Sequence, residues 1–237
     1  MKIKILLLVL ATLTLQANLL LAETSFDTVR NKISEKTSIQ YLDLREEQGR
    51  VVLEGRAGTL KDKMEAEKIA KDKLKKDVVN NIILADSQKT DREITLDVVA
   101  KIQHKSARSY LYNTLAVDTK GGNVILSGKV RDAVFSNIAE EAAMEVPGVR
   151  SIENKIEILP VSAGDDRLRI LISSRFSSDT HLQKYFLGPQ PSISIIVENA
   201  RVILIGIVNT QGDHSRAAIL ARGVSGVLSV DNQLQVE

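Results

Sequence analysis

An internal repeat constrains this chain more than any other feature. The segments Val51-Val52-Leu53-Glu54-Gly55, Val124-Ile125-Leu126-Ser127-Gly128 and Val202-Ile203-Leu204-Ile205-Gly206 share one pattern: Val, aliphatic, Leu, any residue, Gly. Aligned on these glycines, which lie 73 and 78 residues apart, the match extends both ways without a gap. Thirteen residues before them stand Leu42, Leu115 and Ile193, and eleven before stand Leu44, Val117 and Ile195. Eleven residues after come Ala66, Ala139 and Ala217, and fifteen after come Ala70, Ala143 and Ala221. Val79, Ile152 and Val230, then Asn81, Asn154 and Asn232, close the alignment. A period of this length marks one supersecondary unit used three times.

Each unit can be read from its spacing. Apolar residues alternate before each glycine and again near its third conserved segment, the period of half-buried strands. Ala139, Ala142, Ala143 and Val146 follow the i, i+3, i+4, i+7 spacing of an amphipathic helix. A second helical pattern precedes the first strand: Phe26, Val29, Ile33; Ile94, Val98, Ile102; Leu168, Ile172, Phe176. The expected fold class is α+β: three tandem small domains, each helix-strand-strand-helix-strand, with a three-stranded sheet covered by two helices on one face. The boundaries fall at 23–88, 89–160 and 161–237, the first domain being the most divergent.

Residues 1–22 stand outside the repeat. Lys2 and Lys4 precede an apolar run from Ile5 to Ala22, the pattern of a cleavable secretory signal peptide, with an uncleaved anchor as the alternative. Export implies a periplasmic or extracellular address. Without Lys2 and Lys4 the remaining chain has 30 basic and 30 acidic residues, so bulk charge recruits no partner and no nucleic-acid ligand is expected. With no cysteine, disulfide scaffolds, thiolate metal sites and cysteine nucleophiles are all excluded. At 43% hydrophobic and 26% charged residues, the composition is that of a globular protein.

Several repeated residues read as structural. Gly55, Gly128 and Gly206 share parity with the core-facing strand residues, where a missing side chain admits the helix carrying Ala66, Ala139 and Ala217. Asn81, Asn154 and Asn232 are expected to pin neighbouring backbone, because a buried amide must find partners. Gly148 and Gly226 are expected to end the second helix of their units with a left-handed cap, whereas the first unit has Lys75-Lys76 there and ends differently.

The run Gly122-Asn123-Val124-Ile125-Leu126-Ser127-Gly128-Lys129-Val130, the alanine-rich helix after it, and Val146-Pro147-Gly148-Val149-Arg150-Ser151-Ile152-Glu153-Asn154-Lys155-Ile156 together resemble the BON domain, the module of OsmY-like periplasmic proteins. The third unit resembles it from Val202 to Val236, and the first more weakly. The resemblance implies a periplasmic location, association with phospholipid membranes or the cell envelope, and a role in envelope integrity or osmotic stress.

No catalytic constellation emerges. Gly122 to Lys129 has the wrong spacing for a phosphate loop and reads as a strand. His104, His181 and His214 occupy unrelated offsets, so neither a metal site nor a cofactor is expected. Gly223-Val224-Ser225-Gly226 reads as a helix end, and Asp165-Asp166 and Glu140-Glu141 as helix-dipole or solvated positions. The chain reads as non-enzymatic.

Two features are candidates for binding. Tyr41, Tyr110, Tyr112, Tyr185 and Phe186, with Leu187 following, lie between the first helix and first strand of their units. There they either meet a bilayer interface or cap the open end of a small core. Lys68, Lys71, Lys75 and Lys76 belong to a segment, Lys61 to Lys76, with seven lysines against four acids; they either attract anionic headgroups or are simply solvated. The partner is thus a phospholipid surface or, alternatively, an envelope or secretion assembly for which the chain is a protein scaffold. Long aliphatic runs in Ile193–Val197 and Val202–Val208 are consistent with burial on more than one sheet face, hence packing of domain 3 on another domain or self-association through it.

Overall fold

The computed structural model describes residues 25–106, 109–187 and 191–237, without the side chains of Ser109 and Tyr110. The expected signal segment, the Tyr110 side chain and the Gly188-Pro189 turn lie outside the described residues. Among the described residues no helix is long and apolar enough to cross a membrane.

Module 1 consists of a helix α1 over residues 25–36, β1 (Gln40–Glu47), β2 (Arg50–Ala57), α2 (Leu60–Leu74) and a third strand in two pieces, β3 (Val78–Asn80) and β4 (Ile83–Leu84). Module 2 follows with α3 (Asp91–Lys105), a 3-10 helix (Ser109–Tyr112), β5 (Ala116–Lys120), β6 (Asn123–Val130), α4 (Ala133–Met144) and β7 (Ser151–Ile158). Module 3 has α5 (Ala163–Ser178), a 3-10 helix (Gln183–Phe186), β8 (Ile193–Glu198), β9 (Arg201–Val208), α6 (Gln211–Arg222) and β10 (Ser229–Val236). In every sheet the second strand is central, antiparallel to the first and parallel to the third. The parallel pair needs a crossover, which the second helix supplies.

Both helices of a module pack on the same sheet face. In module 1, Val29 and Ile33 of α1 and Ala66, Ile69 and Ala70 of α2 share a core with Leu44, Val51, Leu53 and Ala57. The α+β expectation therefore holds for each module. The chain itself divides into two compact units, one ending at Gln88 and one running from Lys89 to Glu237 with modules 2 and 3 together.

Local chemistry explains the element ends. Thr59, Thr90, Asp132, Ser162 and Thr210 are N-caps whose side-chain oxygens accept from the backbone N–H three residues on. Each hairpin turns on two residues of positive φ: Gln48-Gly49, Gly121-Gly122 and Asn199-Ala200. This is the backbone of a type I′ turn, whose twist matches that of the flanking strands. In modules 2 and 3 an aspartate at the start of the first helix latches this turn. Asp91 accepts from Gly121 and Gly122 N–H at 2.8 and 3.0 Å, and Asp165 from Asn199 and Ala200 N–H at 3.0 and 2.8 Å.

Three sequence expectations change at this level. Leu53 pairs with Asn80, as Leu126 pairs with Asn154 and Leu204 with Asn232, so the repeated amide of module 1 is Asn80 and not Asn81. The amide there stands 25 residues past the motif glycine instead of 26, which shifts the whole strand, including Val79 and Ile83, by one position. Secondly, the backbone facing the motif glycines belongs to the entry of the first strand rather than to the helix. A Cβ on Gly206 would lie 2.0 Å from the Ser192 carbonyl oxygen, on Gly128 2.2 Å from that of Thr114, and on Gly55 2.8 Å from Ile39 Cγ2. Thirdly, Gly148 and Gly226 are left-handed (φ 99° and 98°) but stand three residues beyond the helix caps Glu145 and Gly223. Lys75 at φ 54° is the left-handed cap of α2 itself, with its N–H on the Lys71 carbonyl.

Candidate interaction surfaces

On α2, Ala66, Ile69 and Ala70 are buried, and the opposite side carries Met64, Lys68, Lys71 and Lys75, all exposed. This spacing forms one ridge, because residues three and four apart stack on a helix. Lys71 is tied to Glu67 at 2.6 Å, which holds the Glu67 carboxyl below its usual range, and Lys76, beyond the helix, pairs with Glu46 at 2.6 Å. Lys68 and Lys75 have no carboxylate partner among the described residues. Of the four lysines, three form the ridge, and two of those three carry uncompensated charge.

The same ridge differs in the other modules. Thirteen residues past the motif glycine, Lys68 is replaced by Glu141 and by Ile219. Glu141 of α4 and its cap Glu145 meet Lys101 and Lys105 of α3, with Lys105 Nζ 2.6 Å from Glu145. In module 3 Ile219 is 65% exposed, and Arg175 reaches the Leu220 carbonyl instead. A basic ridge is thus particular to α2.

The aromatic segments are separated by the fold. Tyr41 is 87% exposed at positive φ in a bulge of β1. Tyr185, by contrast, is buried: its hydroxyl donates to Asp213 at 2.8 Å and accepts from Asn209 N–H at 2.7 Å. Phe186 packs edge-on against Phe176, with ring centroids 6.0 Å apart. Tyr185 belongs to the module 3 core and Phe186 packs half-buried against it, leaving Leu187, 79% exposed, as the most outward of the three. Tyr112 is half-buried, its hydroxyl 3.0 Å from Ser173 Oγ of module 3. Tyr112 and Tyr185 are thus both engaged within the second compact unit.

The amides act as braces. Asn154 Nδ2 donates to Ser136 Oγ and Glu140, Asn232 Nδ2 to the His214 carbonyl, and Asn80 Nδ2 to the Lys63 carbonyl and Glu67. Each amide oxygen accepts from the N–H two residues on, so one side chain ties the third strand to the second helix.

Sequence reasoning missed the buried acids of module 3. Asp213 takes hydrogen bonds from Lys184 and Tyr185 while capped by Thr210. Burial works to raise its pKa, yet the hydrogen bonds from Lys184, Tyr185 and Thr210 together outweigh this and hold the carboxyl below its usual range. Asp179 is gripped by Arg216, with backbone help from His181 and Leu182, and is lowered to about 2. The Thr-x-x-Asp capping signature marks Asp213 in the sequence, but its tertiary partners leave no local trace. These networks are internally satisfied and position backbone. No group of three or more His, Asp or Glu among the described residues is placed to hold a metal.

The chain is similar to the osmotically-inducible protein Y of Escherichia coli, with 27% identity over 155 residues covering 62% of this chain and 73% of that protein. Two solved structures of CdsD, a structural protein of the type III secretion system of Chlamydia trachomatis, align over 87% of this chain. They cover 94% and 89% of their own chains, at 13% and 12% identity with TM-scores of 0.25 and 0.24. The BON domain family model matches three times, at residues 28–86, 90–160 and 165–237, each match spanning one helix-strand-strand-helix-strand module, and the chain belongs to that family.

Proposed function

We propose that this is a non-enzymatic protein of the bacterial cell envelope, exported to the periplasm, that rests on anionic phospholipid surfaces through module 1 and supports envelope integrity under osmotic stress. BON family membership and the similarity to an osmotically inducible protein support the envelope and stress setting. The lipid reading is carried by one observation: the ridge Met64, Lys68, Lys71, Lys75 stands on the solvent side of α2, and two of its lysines have no carboxylate partner among the described residues. Lysines near an anionic membrane contribute about 1 kcal/mol each, so this contact is weak and salt-sensitive. Tethering to further modules raises its effective concentration.

Co-sedimentation of the signal-free chain with vesicles tests this. Binding is expected to phosphatidylglycerol-containing vesicles and not to pure phosphatidylcholine. It should fall about tenfold or more in the triple variant Lys68→Glu, Lys71→Glu, Lys75→Glu, since each reversal removes an attraction and adds a repulsion. Failure to bind any vesicle would discard the lipid reading and leave the envelope assignment to rest on localisation.

A further inference from the structure

The connection between first helix and first strand is used in two ways. In module 3 it folds into its own core through Tyr185 and Phe186. In module 2 it crosses to the neighbour: Leu111 and Tyr112 pack against the module 3 core cluster that contains Leu168, Ile172 and Ile195, and Tyr112 Oη meets Ser173 Oγ. The root of this connection is fixed on its own sheet, since Asn113 Oδ1 accepts from Arg131 N–H at 2.7 Å and Thr114 is bonded to Lys129. Two ion pairs flank the crossing. Lys129 Nζ lies 2.6 Å from Glu198, and Arg131 Nε lies 3.4 Å from Asp166.

The place where the connection lands matters. The Ser192 carbonyl accepts from the Ile207 N–H of β9, so alternation turns the backbone groups of Ile193, Ile195 and Val197 toward the outer edge of β8. All three residues are fully buried. The Val197 carbonyl is taken by Arg169 Nη2, and Arg169 is itself 2% exposed and held by Asp166 at 2.6 Å. At the equivalent place module 2 has only a Thr95–Thr119 hydroxyl pair.

We infer that Leu111 and Tyr112 form a strap by which module 2 completes the core of module 3 and covers the outer edge of β8, so that the two modules open as one cooperative body. Withdrawing the strap bares an unpaired strand edge, the feature through which sheets recruit other chains. This inference is independent of lipid binding.

Hydrogen exchange on the signal-free chain tests it. In Leu111→Ser/Tyr112→Ala, peptides from α5 and β8 should exchange about tenfold or more faster, because the perturbed contacts lie in that core. Peptides from α1 and α2 should not change, and the urea transition of the second compact unit should split in two. Should the double variant unfold module 2 outright, Tyr112→Phe and Ser173→Ala decide the matter. Each should speed exchange in both modules, and the pair together should do no more than either alone. Unchanged exchange in α5 and β8, or fully additive effects of the two single variants, overturns the strap.

Discussion

Module 1 and module 3 place the same pattern on the same sheet, yet their motif glycines are constrained to different degrees. At Gly206 an added Cβ meets rigid backbone, the Ser192 carbonyl at 2.0 Å, on a residue at φ 142°. At Gly55 the nearest atom is the Ile39 Cγ2 methyl at 2.8 Å and the nearest backbone atom is the Gln40 carbonyl oxygen at 3.1 Å, because the bulge at Tyr41 carries the first strand differently across the glycine. A carbonyl within a sheet cannot turn away, and at Gly55 the carbonyl stands farther off than at Gly206. A family motif can therefore stay constant while the force that demands it changes from copy to copy.

The largest expected effect follows. Gly206→Ala should destabilise the second compact unit by roughly 3 kcal/mol or more, combining left-handed strain of about 1–2 kcal/mol with overpacking of about 1–3 kcal/mol. Gly55→Ala should cost module 1 distinctly less in the same urea titration. Equal losses would erase the contrast. Next comes the register difference. Asn80→Ala should cost about 1–2 kcal/mol by leaving the Ile82 N–H without its acceptor, while Asn81→Ala should stay within about 0.5 kcal/mol. The opposite ranking would restore the gap-free alignment. Smaller still is the helix end: Lys75→Gly should stabilise module 1 by about 0.5–1 kcal/mol, since glycine holds φ 54° without strain, whereas Gly148→Ala should destabilise.

The smallest effect is local and depends on acid. Asp179, lowered to about 2 from 3.8 by Arg216, contributes stability that is complete above pH 3.8 and lost as pH falls toward 2. Exchange at His181 and Leu182, whose N–H groups it accepts, should accelerate over that window, and Asp179→Asn should flatten the dependence. Acceleration confined to neutral pH would contradict the assignment.

Much of this was legible in the chain. The order of elements, the shared core face and the alanine rows come from short-range periodicity, which any folded solution must respect. The lysine ridge was legible too, because helix geometry alone collects Lys68, Lys71 and Lys75 on one side. Lys76 fell away from it once Lys75 ended the helix. The aromatic group was not legible as separate roles. Tyr41, Tyr112 and Tyr185 occupy like places in the sequence, and only contacts distant along the chain send one to solvent, one to a neighbouring module and one into its own core.

By itself the sequence determined that this protein is three copies of one α+β module, because hydrophobic period and turn residues act within a few positions of each other. The tertiary structure alone decided that modules 2 and 3 share a compact unit, that Asn80 carries the repeated amide, and that backbone rather than helix presses on Gly128 and Gly206. Those outcomes depend on which surfaces meet once the strands are paired. A one-residue difference in a connection, or one aromatic turned outward, changes that meeting without disturbing the local pattern that announces the fold.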